Sequence, residues 1–195
     1  MKILCITYGR TGSHTFGRNL ESKGFKSIHE PFTPNGYKDL EWPKDRKMLS
    51  NELHYCHLSI VWDHFVAIYA TKSEVNTYLD WWKHRTDLQF VLLRRSGFEW
   101  ALSSLHMNKQ GEFADHEKRQ SMYLDLQEVQ DRIKEHTKIC DYLLGLGLPV
   151  YYYEDLLEED NNFPISMTAK DNFTISSKRD YILNYEELKE QLGVA

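Results

Sequence analysis

The stretch that decides the fold is Ile3-Leu4-Cys5-Ile6-Thr7-Tyr8-Gly9-Arg10-Thr11-Gly12-Ser13-His14-Thr15-Phe16-Gly17-Arg18-Asn19-Leu20. The apolar run Ile3–Ile6 predicts a buried strand, Thr7–Thr15 a tight polar loop with glycines, and Phe16–Leu20 the start of a helix. A strand that passes through such a loop into a helix points backbone N–H groups and the positive end of the helix dipole at one spot. That makes an anion site before any side chain is counted. Arg10 adds a fixed positive charge, and Thr11, Ser13 and Thr15 add hydroxyl donors. Gly12 lets the backbone turn and approach a bound group closely.

The nearest standard pattern is the Walker A loop, in which Lys and then Ser/Thr follow the second glycine. Here Ser13 and His14 follow Gly12, and Thr7 stands where the first glycine belongs. Without the lysine, the usual β/γ-phosphate contact is gone, as is the usual Ser/Thr ligand for magnesium. The expectation is a phosphate loop without triphosphate chemistry.

Working outward, Gly24 is placed to end the first helix, and Phe25–His29 reads as a second short strand. Pro31 biases Glu30 away from helix, so Glu30 belongs at the carboxyl end of that strand, the edge where ligands collect in open α/β sheets. Residues 33–47 read as a loop, and Ser50-Asn51-Glu52 as the cap of a short helix through about Leu58. On that helix His54 and His57 could share a face as a metal pair. With no third ligand at suitable spacing, surface or core histidines are expected and no metal is assigned. A third strand is predicted over 64–70 and a helix over 73–85.

Leu88–Leu93 is a nearly continuous apolar run suited to the middle of a parallel sheet. It ends in Arg94-Arg95-Ser96-Gly97. Arginines at the carboxyl end of a central strand point to a bound anion rather than to packing. Phe98–Met107 continues as a helix carrying Ser103, eight residues after Arg95. A long amphipathic helix is expected over about 116–146, with Met122, Leu126, Val129, Ile133 and Ile139 on its apolar stripe and Gly147 ending it. Leu148–Tyr153 reads as a strand closed by Glu154-Asp155, and the tail as a loop, a short turn at Tyr181–Leu183 and a helix over Glu186–Leu192. Strands alternating with helices predict an α/β sheet with right-handed crossovers.

Composition sets the outer bounds. The chain has 195 residues, 41% of them hydrophobic, enough for one sizeable core, so a single domain over 1–195 is expected. A net charge of −5 and a pI near 6.0 exclude a general nucleic-acid binder, whose footprint would be basic. Cys5, Cys56 and Cys140 are odd in number and widely spaced, as for reduced thiols in a cytosolic protein. No apolar run approaches the roughly 18–20 residues of a membrane span, and the one after Lys2 is too short for a signal, so a soluble cytoplasmic protein is expected.

Three stretches, in order, resemble the sulfotransferases that use 3′-phosphoadenosine-5′-phosphosulfate (PAPS). Arg10, Thr11, Gly12 and Ser13 match that family's 5′-phosphosulfate loop, a basic residue followed by Ser/Thr, Gly and two Ser/Thr, while His14 departs from the usual hydroxyl residue. Arg95 and Ser103 fill the places of its 3′-phosphate motif, a strand-end arginine with a serine eight residues later on the next helix. Tyr153-Glu154-Asp155-Leu156 resembles its Tyr-Glu-Asp segment, and His29-Glu30-Pro31-Phe32 the Glu-Pro segment of carbohydrate-type and bacterial members. The Arg-Lys-Gly segment that closes the donor site in many cytosolic members is missing, with Ser176-Ser177-Lys178-Arg179 as a possible substitute.

The resemblance implies a three-layer α/β/α fold of the P-loop-like sulfotransferase type, with a mainly parallel central sheet. It implies transfer of a sulfonate from PAPS to a hydroxyl or amine of a small-molecule or carbohydrate acceptor, leaving adenosine 3′,5′-bisphosphate (PAP) and requiring no metal. Arg10, Thr11, Gly12, Ser13, His14 and Thr15 would hold the 5′-phosphate, Arg95 and Ser103 the 3′-phosphate, and Lys178 would help to close the donor site. Glu30 would be the general base, with His29 as the fallback. Two other expectations stay open: a small P-loop kinase using Glu154-Asp155 as its acidic strand end, and a non-catalytic anion-binding member of the fold.

Overall fold

The computed structural model describes residues 3–25, 27–29, 55–59, 87–110, 120–157, 163–164 and 178–194. They belong to two compact units, one drawn from 1–93 and 143–173, the other from 94–142 and 174–195.

The first unit is an α/β arrangement built on five strands: β1 (Ile3–Thr7), β2 (Ser27–His29), β3 (Tyr55–Ser59), β4 (Leu88–Leu93) and β5 (Val150–Tyr152). Their order across the sheet is β2-β3-β1-β4-β5, and every pairing is parallel. β1 lies between β3 and β4, with Ile3 level with both Tyr55 and Leu88. All five residues of β1 are buried, as are Phe90–Leu93 of β4, which is why both strands read as nearly continuous apolar runs. Strand alternation puts Ile3, Cys5, Phe90 and Leu92 into one core cluster with Phe16 and Leu20 of the first helix, α1 (Ser13–Ser22), and with Tyr153, Leu156 and Phe163. Phe90 meets Phe16 edge-on at 5.6 Å and Phe163 at 5.1 Å between ring centroids. Burying each such ring contributes about 1.5–3 kcal/mol, and a good edge-to-face pair about 0.5–1.5 kcal/mol more.

α1 ends as its sequence predicts. Gly24 takes φ +84°, and Phe25 N–H donates back to Leu20 O at 3.1 Å, closing the last turn. The predicted short helix ending near Leu58 is a correction: Tyr55–Leu58 belong to β3. Two neighbouring strands supply ladder partners for this segment, and that pairing overrides the weak local helix signal. His57 therefore sits opposite Cys5 and His29 on a strand, and His54 lies outside the described residues. The elements predicted over 64–70 and 73–85 lie outside the described residues.

The second unit contains α2 (Gly97–Gln110), most of α3 (Leu126–Leu144) and, after a 3₁₀ turn at Lys178–Asp180, α4 (Tyr185–Leu192). α3 starts later than the apolar stripe predicts. Asp125 caps it by accepting from Glu128 N–H at 3.1 Å, and Met122, expected on the helix, forms a parallel bridge with Ile182 instead. Met122 N–H donates to Tyr181 O and Leu183 N–H to Met122 O, each at 2.9 Å. Asn184 fastens the same segment, accepting from Leu124 N–H at 3.0 Å and donating to Leu124 O at 2.8 Å. Among the described residues, no helix is long and apolar enough to cross a membrane.

Candidate functional site

The strand order creates the site's setting. From β1 the chain runs through α1 to β2 and then β3 on one side of the sheet, whereas β5 follows β4 on the other. The carboxyl ends of β1 and β4 are therefore adjacent at the point where the connections diverge, the position at which open α/β sheets form a ligand crevice. Tyr8–Gly12 leaves β1 at that point.

Side chains lock this loop internally. Thr7 and Thr11 are both fully buried. Thr7 Oγ1 donates to Leu92 O of β4 at 2.7 Å, and the Thr11 hydroxyl lies 2.5 Å from Thr7 Oγ1 and 3.0 Å from Tyr8 O. Each hydroxyl has one proton. With that of Thr7 committed to Leu92, Thr11 is the donor within the loop. The sequence suggests Thr11 as a hydroxyl donor to an anion; the fold turns that hydroxyl inward, leaving the residue's backbone as what it offers a ligand.

Two residues of the loop have left-handed backbone, Arg10 at φ +68° and Gly12 at φ +82°. For Gly12 this is the expected use of a glycine; for Arg10 it is strain, of about 1–3 kcal/mol, of the kind that gathers at functional sites. Gly12 is also pressed against an aromatic wall. A Cβ there would fall 2.1 Å from Tyr153 Cε2 and 2.4 Å from its Cδ2, so only glycine fits. Gly12 occupies the N-cap of α1, where it brings no side chain to the first N–H groups, and no acidic residue stands in the first turn. Phe16 N–H is the first to reach back, to Gly12 O at 3.0 Å. Ser13, His14 and Thr15 form that first turn. What the loop presents is a helix N-terminus without a side-chain cap, next to an arginine.

The second predicted anion motif lies in the second unit. Arg94 and Arg95 follow β4 in the chain; Arg95 is exposed, and Ser103 is buried on α2. Ser96 Oγ accepts from Glu99 N–H at 3.1 Å and so caps α2. Glu99 accepts in turn from Tyr185 OH at 2.6 Å. Burial and this carboxylate push the Tyr185 phenol up to about 12. On the same unit His136 is held below the ordinary histidine range, chiefly by burial, with the Arg94 backbone as a hydrogen-bond partner working the other way and the Arg94 charge adding to the depression.

Of the remaining predicted residues, His29 closes β2 in register with His57, and Lys178 opens the 3₁₀ turn Lys178–Asp180. Glu30 lies outside the described residues. Sequence reasoning missed Thr7 as the link to β4, Tyr153 as the wall beside Gly12, and His136 behind Arg94. The first two had a faint signal, a polar residue ending an apolar strand and a tyrosine at a strand's end. A histidine on an amphipathic helix had none. Comparison with family models, with curated proteins and with solved structures finds no match to this chain.

Proposed function

We propose that this chain is a PAPS-dependent sulfotransferase of the three-layer, P-loop-like type, moving a sulfonate to a hydroxyl or amine of a small-molecule or carbohydrate acceptor. The observation that supports it most is the loop Tyr8–Gly12, set at the sheet's switch point with left-handed Arg10 and Gly12 leading into a helix whose N-cap has no side chain. Such a loop suits a phosphate held by backbone N–H groups. The missing lysine after Gly12 sets it apart from triphosphate chemistry, and Arg95 with Ser103 would hold the 3′-phosphate that distinguishes PAPS from ATP.

The donor supplies an activated sulfonate in a mixed phosphate–sulfate anhydride. The acceptor oxygen forms a bond to sulfur as the bond from sulfur to the bridging oxygen breaks, and that oxygen leaves with the electron pair on the 5′-phosphate of PAP. The Arg10 guanidinium and the N–H groups at the start of α1 would offset the charge that builds on the leaving oxygen. Glu30 would take the acceptor proton, with His29 next to it as the alternative base. An arginine fork suits the 3′-phosphate better than a lysine would.

A second reading has an observation of its own: Glu154 and Asp155 follow β5 one residue on, after Tyr153, much as an acidic strand end would in a magnesium-dependent kinase. Release of PAP from labelled donor with sugar, phenol and amine acceptors separates the two. The expected result is magnesium-independent, acceptor-dependent turnover, lowered about 10²–10⁴-fold by Glu30→Gln with donor affinity kept. Turnover of ATP with magnesium, and none of PAPS, would favour the kinase.

A further inference from the structure

His136 has no part in the proposed reaction, yet its surroundings are specific. It lies on α3 with 6% of its surface exposed. The ring hydrogen-bonds the backbone of Arg94. It rests on Gly97, where a Cβ would come 3.1 Å from Nδ1, and Trp100, one turn further along α2, faces it at 5.3 Å between ring centroids. Cys140 Sγ, one turn along α3, is 3.8 Å from Nδ1 and 3.7 Å from Nε2. Gly97 is absent from the residues with positive φ, so its bare Cα serves clearance for the imidazole rather than backbone freedom. A neutral imidazole has one N–H to give and one nitrogen that accepts. Given to the Arg94 carbonyl, that N–H anchors the backbone just ahead of Arg95, while Gly97 and Trp100 hold the first turn of α2 against the ring.

We propose that His136 is a positioning residue for the turn Arg94-Arg95-Ser96: by holding the Arg94 carbonyl and the start of α2, it fixes the direction in which the Arg95 side chain leaves the backbone. The backbone from which the exposed Arg95 departs is thereby preorganised for a 3′-phosphate, which lowers the ordering cost of binding. This rests on the sulfotransferase reading for the identity of the anion, but the clamp itself concerns only the geometry of this unit. A histidine that merely filled the core would affect stability and leave phosphate selectivity alone.

Calorimetry on the full chain with adenosine 3′,5′-bisphosphate and adenosine 5′-monophosphate separates these roles. In His136→Leu the bisphosphate should bind at least about tenfold more weakly and the monophosphate within about twofold of wild type, and His136→Gln, which keeps an N–H for the carbonyl, should recover most of the loss. An equal loss for both nucleotides, or no loss in a folded variant, would overturn the proposal. If His136→Leu does not fold, Gly97→Ala, which shifts the ring by a few tenths of an ångström, should show a smaller loss confined to the bisphosphate; unchanged selectivity would count against the clamp. Nitrogen NMR of ligand-free wild type gives an independent reading. A His136 ring N–H protected from exchange and coupled to the Arg94 carbonyl supports the clamp, and a freely exchanging one overturns it. If wild type bound neither nucleotide, the donor assignment would fall while the protected N–H still reported the clamp.

Discussion

At the scale of single residues, the loop's two small side chains do different work. Gly12 answers two demands at once, a left-handed φ of +82° and a ring 2.1 Å from where a Cβ would sit. Gly12→Ala should therefore lower stability by about 2–4 kcal/mol, combining left-handed strain with overpacking; a urea midpoint near that of wild type would contradict the loop's geometry. Thr11→Val tests the inward hydroxyl. Removing it takes away the single proton shared between Thr7 Oγ1 and Tyr8 O, which should cost about 1–3 kcal/mol of stability, with anion affinity falling only as the loop loosens. A large loss of affinity at unchanged stability would mean that the hydroxyl faces the ligand. Which residues make the loop was legible in the sequence, because Arg10, Thr11 and Gly12 are chemically conspicuous. Where the Thr11 hydroxyl points was not, since that depends on Leu92, some eighty residues away in the chain.

At the scale of elements, legibility followed the source of each element's stability. β1 and β4 carry their own apolar runs and were readable as strands. β3 is held by ladders to β1 and β2 rather than by its own residues, so Tyr55–Leu58 passed for helix. The start of α3 turned on one cap, Asp125, which an apolar stripe running through Met122 concealed. Two side chains report on how α2 is held. The Tyr185 hydroxyl, bonded to Glu99, titrates near 12. Its pKa is raised by folding, so the stabilisation it carries is present below the ordinary tyrosine value of about 10 and lost as pH rises through about 12. Burial raises the Tyr142 phenol as well, so phenolate absorbance should show Tyr185→Phe removing one tyrosine from the late-titrating fraction; an unchanged late fraction would contradict the bond to Glu99. His136 has the opposite sign. Its pKa is lowered by folding, so its contribution is full above the unfolded value of about 6.5 and is lost as pH falls from there through the folded value. Among the described residues, the charged and titratable groups facing the ring are Arg94 and Cys140. Urea midpoints at about pH 7.5 and about pH 5 should differ more in wild type than in His136→Gln; equal differences would show that His136 is not desolvated.

At the scale of the whole molecule, a net charge of −5 means that an anionic nucleotide would have to be drawn by a local arrangement and not by the protein's overall field. The α/β class was readable from the alternation of apolar runs and amphipathic segments. The order β2-β3-β1-β4-β5 was not, because no local signal says which strand sits between which; yet that order is what sets the Arg10 loop at a switch point. A sulfotransferase of this kind must hold a nucleotide carrying a 3′-phosphate, and calorimetry of adenosine 3′,5′-bisphosphate against ADP and ATP, with and without magnesium, on wild type and Arg95→Ala, is the decisive measurement. The expected result is magnesium-independent binding with the bisphosphate preferred, weakened by about 1.5–3 kcal/mol in Arg95→Ala, as for a lost charged hydrogen-bond partner. Preference for ATP with magnesium, or affinity for the bisphosphate that Arg95→Ala leaves unchanged, would contradict it.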